Sequence, residues 1–149
     1  MTETYNVYRN DVKVAEGLTA HSFEDTGLSP ATTYKYKVEA VSGDQSVMSD
    51  EITVTTLPIA VTGVTLDKAT ADVPVGGTVK LSPTVTPEDA TDKSGSWSSS
   101  DTAVATVSGG TVTVKADAAV GATTTVSFTT KDGSKKAGCV VTVIAAEEG

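Results

Sequence analysis

The residues of this chain with the most chemical potential are few. His21, the only histidine, stands beside Ser22, with Asp25 four positions further on. A hydroxyl nucleophile, a base and an orienting carboxylate are the ingredients of acyl transfer, but that chemistry needs groups converging from separate elements around a pocket. These three fall on one short stretch with strand character, so adjacency gives them no common focus, and a structural role is the better reading. Glu88, Asp89 and Asp92 form the densest acidic stretch. A calcium loop alternates its oxygen ligands regularly and turns on a glycine, which this stretch lacks. It reads as a solvated loop, with weak adventitious calcium as the alternative. Cys139 is the sole cysteine, so no intrachain disulfide forms, and alternation with Val141 and Val143 places it facing inward as a small inert hydrophobe. No glycine-rich loop opens a helix, and neither Asn6 nor Asn10 begins a glycosylation sequon. The residues predict no catalytic site, no metal and no cofactor.

What must position these side chains is β-structure. Period-two alternation recurs along the chain, whereas 3.6-residue apolar periodicity is absent. In the run from Tyr34 to Val41, Tyr34, Tyr36, Val38 and Ala40 share one face, while Lys35, Lys37 and Glu39 share the other. This predicts a half-buried antiparallel strand. Runs 52–55, 111–114, 125–128 and 139–143 repeat the pattern. Turn signals separate them at Asn10-Asp11, Glu16-Gly17, Ser42-Gly43-Asp44, Gly76-Gly77, Ser108-Gly109-Gly110 and Asp132-Gly133. Many short strands at this spacing predict an all-β fold built of sandwiches. Composition agrees: 149 residues, 38% hydrophobic but only 5% aromatic, so the core must be made of Val, Ala, Leu and Thr, which fits a slab roughly 10 Å thick. The boundary falls at residues 56–60, where a strand ends and Pro58 blocks continued pairing. The domains are therefore 1–57 and 61–145, with a linker at 58–60 and a tail at 146–149.

Charge limits the partners. A net charge of −8 repels phosphate backbones and anionic membranes, which argues against nucleic-acid and membrane binding. No apolar run approaches the ~20 residues needed to cross a bilayer. The opening residues Met1-Thr2-Glu3-Thr4 lack the basic start and apolar stretch of a signal peptide, and predict a cytosolically made protein.

Two resemblances add to this reading. The stretch from Tyr5 to Ala15 resembles the C–C′ hairpin of fibronectin type III domains, and the stretch from Phe23 to Tyr34 resembles their E strand and E–F corner. The Leu28-x-Pro30-x-x-x-Tyr34 spacing is the specific part: the resemblance implies a tyrosine corner, with Tyr34 bonding back to the corner backbone. Such domains open with two further strands, for which the chain leaves no sequence before Tyr5, so the first sandwich is expected to be incomplete. Either it forms a reduced sandwich, or another chain or a second copy supplies the strands by β-augmentation.

Residues 61–145 are similar to the bacterial immunoglobulin-like group 2 domains. The motifs are Val64-Thr65-Leu66-Asp67, Val75-Gly76-Gly77-Thr78, Val85-Thr86-Pro87-Glu88, Trp97-Ser98-Ser99-Ser100-Asp101 and the closing strand from Cys139 to Val143. Trp97 is the one large ring available to fill the space between sheets of small side chains.

The resemblances imply a non-enzymatic binding or structural module. Both families adorn phage particles, so the first expectation is a bacteriophage virion surface protein: a capsid decoration, head fibre or tail accessory. It would be held through the N-terminal domain by other chains of the assembly, or by copies of itself, and display the immunoglobulin-like domain. Weak glycan binding through avidity is part of that expectation, with Tyr5 or Tyr8 as the aromatics able to point outward. The alternative is a spacer or adhesive module of a bacterial cell-surface adhesin or a secreted polysaccharide-degrading enzyme.

Overall fold

A computed structural model describes residues 2–147; of the tail read at 146–149, residues 148 and 149 lie outside the described residues, as does Met1. Among the described residues every regular element is a strand. The chain is all-β and divides into two compact units, Met1–Pro58 and Ile59–Gly149.

Unit 1 is a single antiparallel sheet. Strands β1 (Thr4–Arg9), β2 (Val12–Leu18), β3 (Thr33–Ser42), β4 (Gln45–Met48) and β5 (Ile52–Thr55) lie in the order β2-β1-β3-β4, with β5 also paired to β3. The β1–β2 hairpin closes on two residues in the left-handed region, Asn10 (φ 50°) and Asp11 (φ 66°). Asn and Asp tolerate that conformation, and two such residues match the twist of the flanking strands. Asn10 also ties the turn to β3, its amide N–H donating to the Lys35 carbonyl at 2.8 Å and its Oδ1 accepting the Lys35 N–H at 2.9 Å.

Alternation along β1 and β3 gives the sheet two distinct faces. The register pairs Tyr5 with Ala40, Val7 with Val38 and Arg9 with Tyr36, so these side chains lie together on the inner face. The outer face carries Asn6, Tyr8, Lys37 and Glu39. One expectation fails here. The stretch holding His21, Ser22 and Asp25 was to form a short strand, but it pairs with no other strand among the described residues. Residues 19–32 instead connect β2 to β3; Ala31 and Thr32 bond to the main chain of Leu57 and Thr56, whereas 19–28 lie across the inner face with no neighbouring strand among the described residues to pair with.

Unit 2 carries nine strands. Its largest sheet has the order β10 (Gly95–Ser99), β13 (Thr123–Thr130), β14 (Lys136–Ile144), β7 (Thr70–Pro74), in which β14 and β7 run parallel and the other pairs antiparallel. A second sheet orders β11 (Ala105–Ser108), β12 (Thr111–Val114) and β8 (Thr78–Lys80), and β6 (Gly63–Leu66) pairs with β9 (Pro83–Thr86). Inward residues of the first two sheets meet in one dry core. Val73, Val126, Cys139, Val141 and Val143 come from the larger sheet, and Ala105, Val112 and Val114 from the smaller. Val61, Val85, Ala90 and Phe128 form a second cluster. Trp97 does not occupy the middle of the core. It is half-buried, touches both clusters and tilts against Phe128 with ring centroids 5.1 Å apart. Ile59, within the stretch read as linker, is already bonded into unit 2, its N–H donating to Thr91 Oγ1 and its carbonyl accepting the Thr91 N–H.

The β11–β12 turn illustrates how tightly this core is drawn. Gly110 sits at φ 85°, and a Cβ built there would lie 2.6 Å from the Leu81 carbonyl oxygen and 3.3 Å from the Trp97 ring. Only glycine meets both the conformation and the space. Gly110→Ala is expected to destabilise unit 2 by on the order of 3 kcal/mol, combining backbone strain with overpacking. Denaturant titration followed by Trp97 fluorescence measures it, and a loss under about 0.5 kcal/mol, the scale of an ordinary surface change, would show that the turn yields.

Candidate interaction surface

The inner face of unit 1 concentrates the unusual features of the molecule. Its fixed point is Asp25. Arg9 Nη1 donates to both Asp25 oxygens at 2.9 Å, and the Tyr36 hydroxyl donates to Oδ2 at 2.7 Å. The Arg9 guanidinium carbon lies 5.7 Å from the Tyr34 ring centroid, a cation–π distance. The Tyr36 hydroxyl, together with Arg9, holds the Asp25 carboxyl below its ordinary range, and the carboxylate in turn raises Tyr36 and Arg9. Further along the segment His21 meets Tyr5 edge to face at 5.5 Å. The connection is therefore pinned to β1 and β3 by side chains alone.

The pinned segment leaves much of the face open. Val7 is buried, but Val47 is 73% exposed, Ile52 59%, Val54 45%, Phe23 40% and Val38 38%. Between segment and sheet runs a groove of about 220 Å³ walled by Tyr5, Val7, Leu18, Ala20, Phe23 and Val38. Fully covering one such aliphatic side chain is worth roughly 1.5–3 kcal/mol, and scattered exposed apolar residues are common whereas a contiguous patch marks an interaction site.

The residues singled out for chemistry are not brought together. Asp25 is engaged by Arg9 and Tyr36, His21 rests on Tyr5, and Ser22 meets neither of them in a hydrogen bond. Asp92 accepts from the Ser94 N–H and hydroxyl at 2.9 and 2.5 Å, and Lys93 Nζ reaches the Glu88 carbonyl at 3.0 Å, so the acidic stretch is a loop tied to itself. Among the described residues no three His, Cys, Asp or Glu side chains are grouped as metal ligands would be. Cys139 is fully buried among valines, which raises its thiol pKa. Leu28 and Pro30 lie in the turn before β3, and the Tyr34 hydroxyl accepts the Ser29 N–H at 2.9 Å. Tyr5 and Tyr8 occupy opposite faces. Tyr5 lines the groove, whereas the Tyr8 hydroxyl donates to Glu39 at 3.0 Å beside Asn6, under Lys13 at 5.8 Å. The Arg9–Asp25–Tyr36 cluster was missed from sequence. Its signal is the shared face of Arg9 and Tyr36, which appears only once the β1–β3 register is known.

Two sheets, antiparallel except for the β7–β14 pair, close on a valine core and define unit 2 as an immunoglobulin-like sandwich module. Residues 60–141 match the bacterial Ig-like domain (group 2), and the chain belongs to that family. It is 40% identical over 107 residues to an Ig-like virion protein of Serratia phage KSP90, an alignment covering 71% of this chain and 41% of that protein. It is 46% identical over 54 residues to exoglucanase B of Cellulomonas fimi, covering 35% of this chain and 5% of the enzyme. The chain thus spans about two fifths of the first relative's length and a small fraction of the second's. Among solved structures, domains 1–6 of the surface layer protein SbsC superpose with a TM-score of 0.51 at 20% identity, over 97% of this chain and 20% of that one. That likeness concerns fold alone.

The Asp25 cluster is expected to make unit 1 acid-sensitive, and the sign follows from the lowered carboxyl. A carboxylate whose pKa is lower folded than unfolded contributes stability above its unfolded pKa, and the contribution is lost as pH falls through the folded value. Asp11, held down by Lys37, and Glu39, held down by Asn6 and Tyr8, act in the same sense. Amide protection over residues 4–55 is therefore expected to decline below about pH 4. Asp25→Asn is expected to be less protected at neutral pH and to lose less on acidification. An unchanged acid limb in that variant, followed by hydrogen exchange, would remove Asp25 from the account.

Proposed function

We propose that this chain is a non-enzymatic surface protein of a bacteriophage particle, serving as a capsid decoration, head fibre or tail accessory. Unit 1 attaches it to neighbouring chains, and unit 2 is displayed outward for particle stabilisation or weak adhesion to the host surface. The observation that carries the reading is the 40% identity to a phage Ig-like virion protein. The division of labour between the units is supported by their surfaces, because unit 2 encloses its core while unit 1 presents an uncovered apolar face. A displayed sandwich repeated over a particle gains host contact by avidity, so single-site affinity need not be high.

The second reading is a spacer or adhesive module in a cell-surface adhesin or secreted polysaccharide-degrading enzyme, favoured by the 46% identity to part of an exoglucanase. Mass spectrometry of purified phage from the source strain separates the two. The chain is expected in particles at a copy number matching a repeated structural protein, with antibodies to unit 2 decorating intact particles. Its absence from particles would sink the virion reading and leave the spacer.

A further inference from the structure

The inner face of unit 1 is uncovered in a particular way. The segment 19–28 lies on it, yet among the described residues none of its main-chain groups hydrogen-bonds to another main-chain group. Arg9, Tyr36 and Tyr5 fix the segment in place through Asp25 and His21, so its free donors and acceptors are already ordered. On the same face Val38, Ile52, Val54 and Val47 remain exposed, and by register they adjoin one another: Tyr36 pairs Ile52, Tyr34 pairs Val54 and Ala40 pairs Val47. An ordered row of unpaired backbone beside an apolar floor is the arrangement that accepts an added strand.

We propose that this face is an acceptor site for one β-strand of a partner protein, which pairs with residues 22–26, between the bends at His21 and Gly27, and lays every second side chain on Val38, Ile52 and Val54. Backbone pairing requires an extended segment and not a helix. The floor requires apolar residues at alternate positions. Charge selects the rest: unit 1 carries four cationic against nine anionic side chains, a net of −5, so the donor strand is flanked by Lys or Arg. The same field opposes a second copy of this chain, itself at −8, as occupant. The inference deepens the reading of unit 1 as the attaching end and rests on it only for the identity of the assembly.

The test uses the full chain and synthetic peptides of about nine residues, a strand's length, alternating valine and threonine. One peptide ends in lysines, one in glutamates, and a third repeats the lysine version with every second amide N-methylated. The lysine peptide is expected to slow amide exchange across residues 22–26 by about tenfold or more, and the glutamate peptide to bind about tenfold more weakly, roughly 1.4 kcal/mol. N-methylation is expected to abolish protection. Val47→Lys, at a side chain already mostly in solvent, is expected to weaken the lysine peptide while leaving the free fold unchanged. Equal protection by the N-methylated peptide would overturn the proposal, as would no protection by the lysine peptide at saturation. Protection of the free chain that grows with its concentration would overturn it in favour of a second copy. Peptide binding and presence in particles are independent readouts, so either reading can fail without the other.

Discussion

An apolar sheet face is stable in water only when something covers it, and the two halves of this molecule stand on opposite sides of that constraint. Each strand that alternates apolar and polar residues produces one face that favours burial. In unit 2 the faces of two sheets cover one another, and Val112, Val126, Cys139 and Val141 reach zero exposure. In unit 1 the same alternation builds a sheet with no second sheet opposite it among the described residues. A single connection, held by one carboxylate between an arginine and a tyrosine, covers part of the face. The groove and the exposed valines both follow from that incomplete cover.

The second unit shows how a core closes with almost no aromatic mass. Valine fills the slab because its branched side chain is stiff and suits a pleated surface. The polar residues that fall inside are reconciled individually. Thr124 Oγ1 accepts the Asp101 N–H at 2.9 Å, while the Thr130 hydroxyl donates to the Asp132 carbonyl at 2.6 Å and accepts the Lys135 N–H at 2.9 Å. Among the described residues no buried side-chain polar atom lacks a partner, as burial of such atoms demands. Thr130 thereby fixes the turn between β13 and β14, and Asp132 in the same turn accepts the Val61 N–H at 2.9 Å, tying the start of the unit to its closing hairpin.

Much of this was legible in the residues because it is local. The alternation from Tyr34 to Ala40 is the strand β3 with its inner and outer faces. Gly109-Gly110 marks the β11–β12 turn, and Cys139 alternates with Val141 and Val143 into the core. Non-local pairing was not legible. Nothing in residues 70–74 announces that they run parallel to β14 across a separation of some seventy positions, since a strand's own pattern specifies which face is buried and not which neighbour it joins. The Asp25 cluster was hidden for the same reason, because Arg9 and Tyr36 become neighbours only through the register of β1 on β3.

The stretch from His21 to Asp25, expected as a short strand, carries the most physical content. Its residues His21, Phe23 and Asp25, spaced two positions apart, meet the sheet. Strand identity, however, is a property of a pair, because the ladder hydrogen bonds that define it need a second backbone within about 5 Å. The segment has the inward side chains without the partner strand. Its position is maintained by an ion pair and an aromatic contact, which fix geometry while leaving the backbone groups unspent. A half-built layer of this kind places recognition in the main chain and selectivity in the floor residues, so that a small number of contacts decides what the face accepts. The acidic field of unit 1 then acts before contact, discouraging copies of the chain from meeting there and favouring a cationic strand.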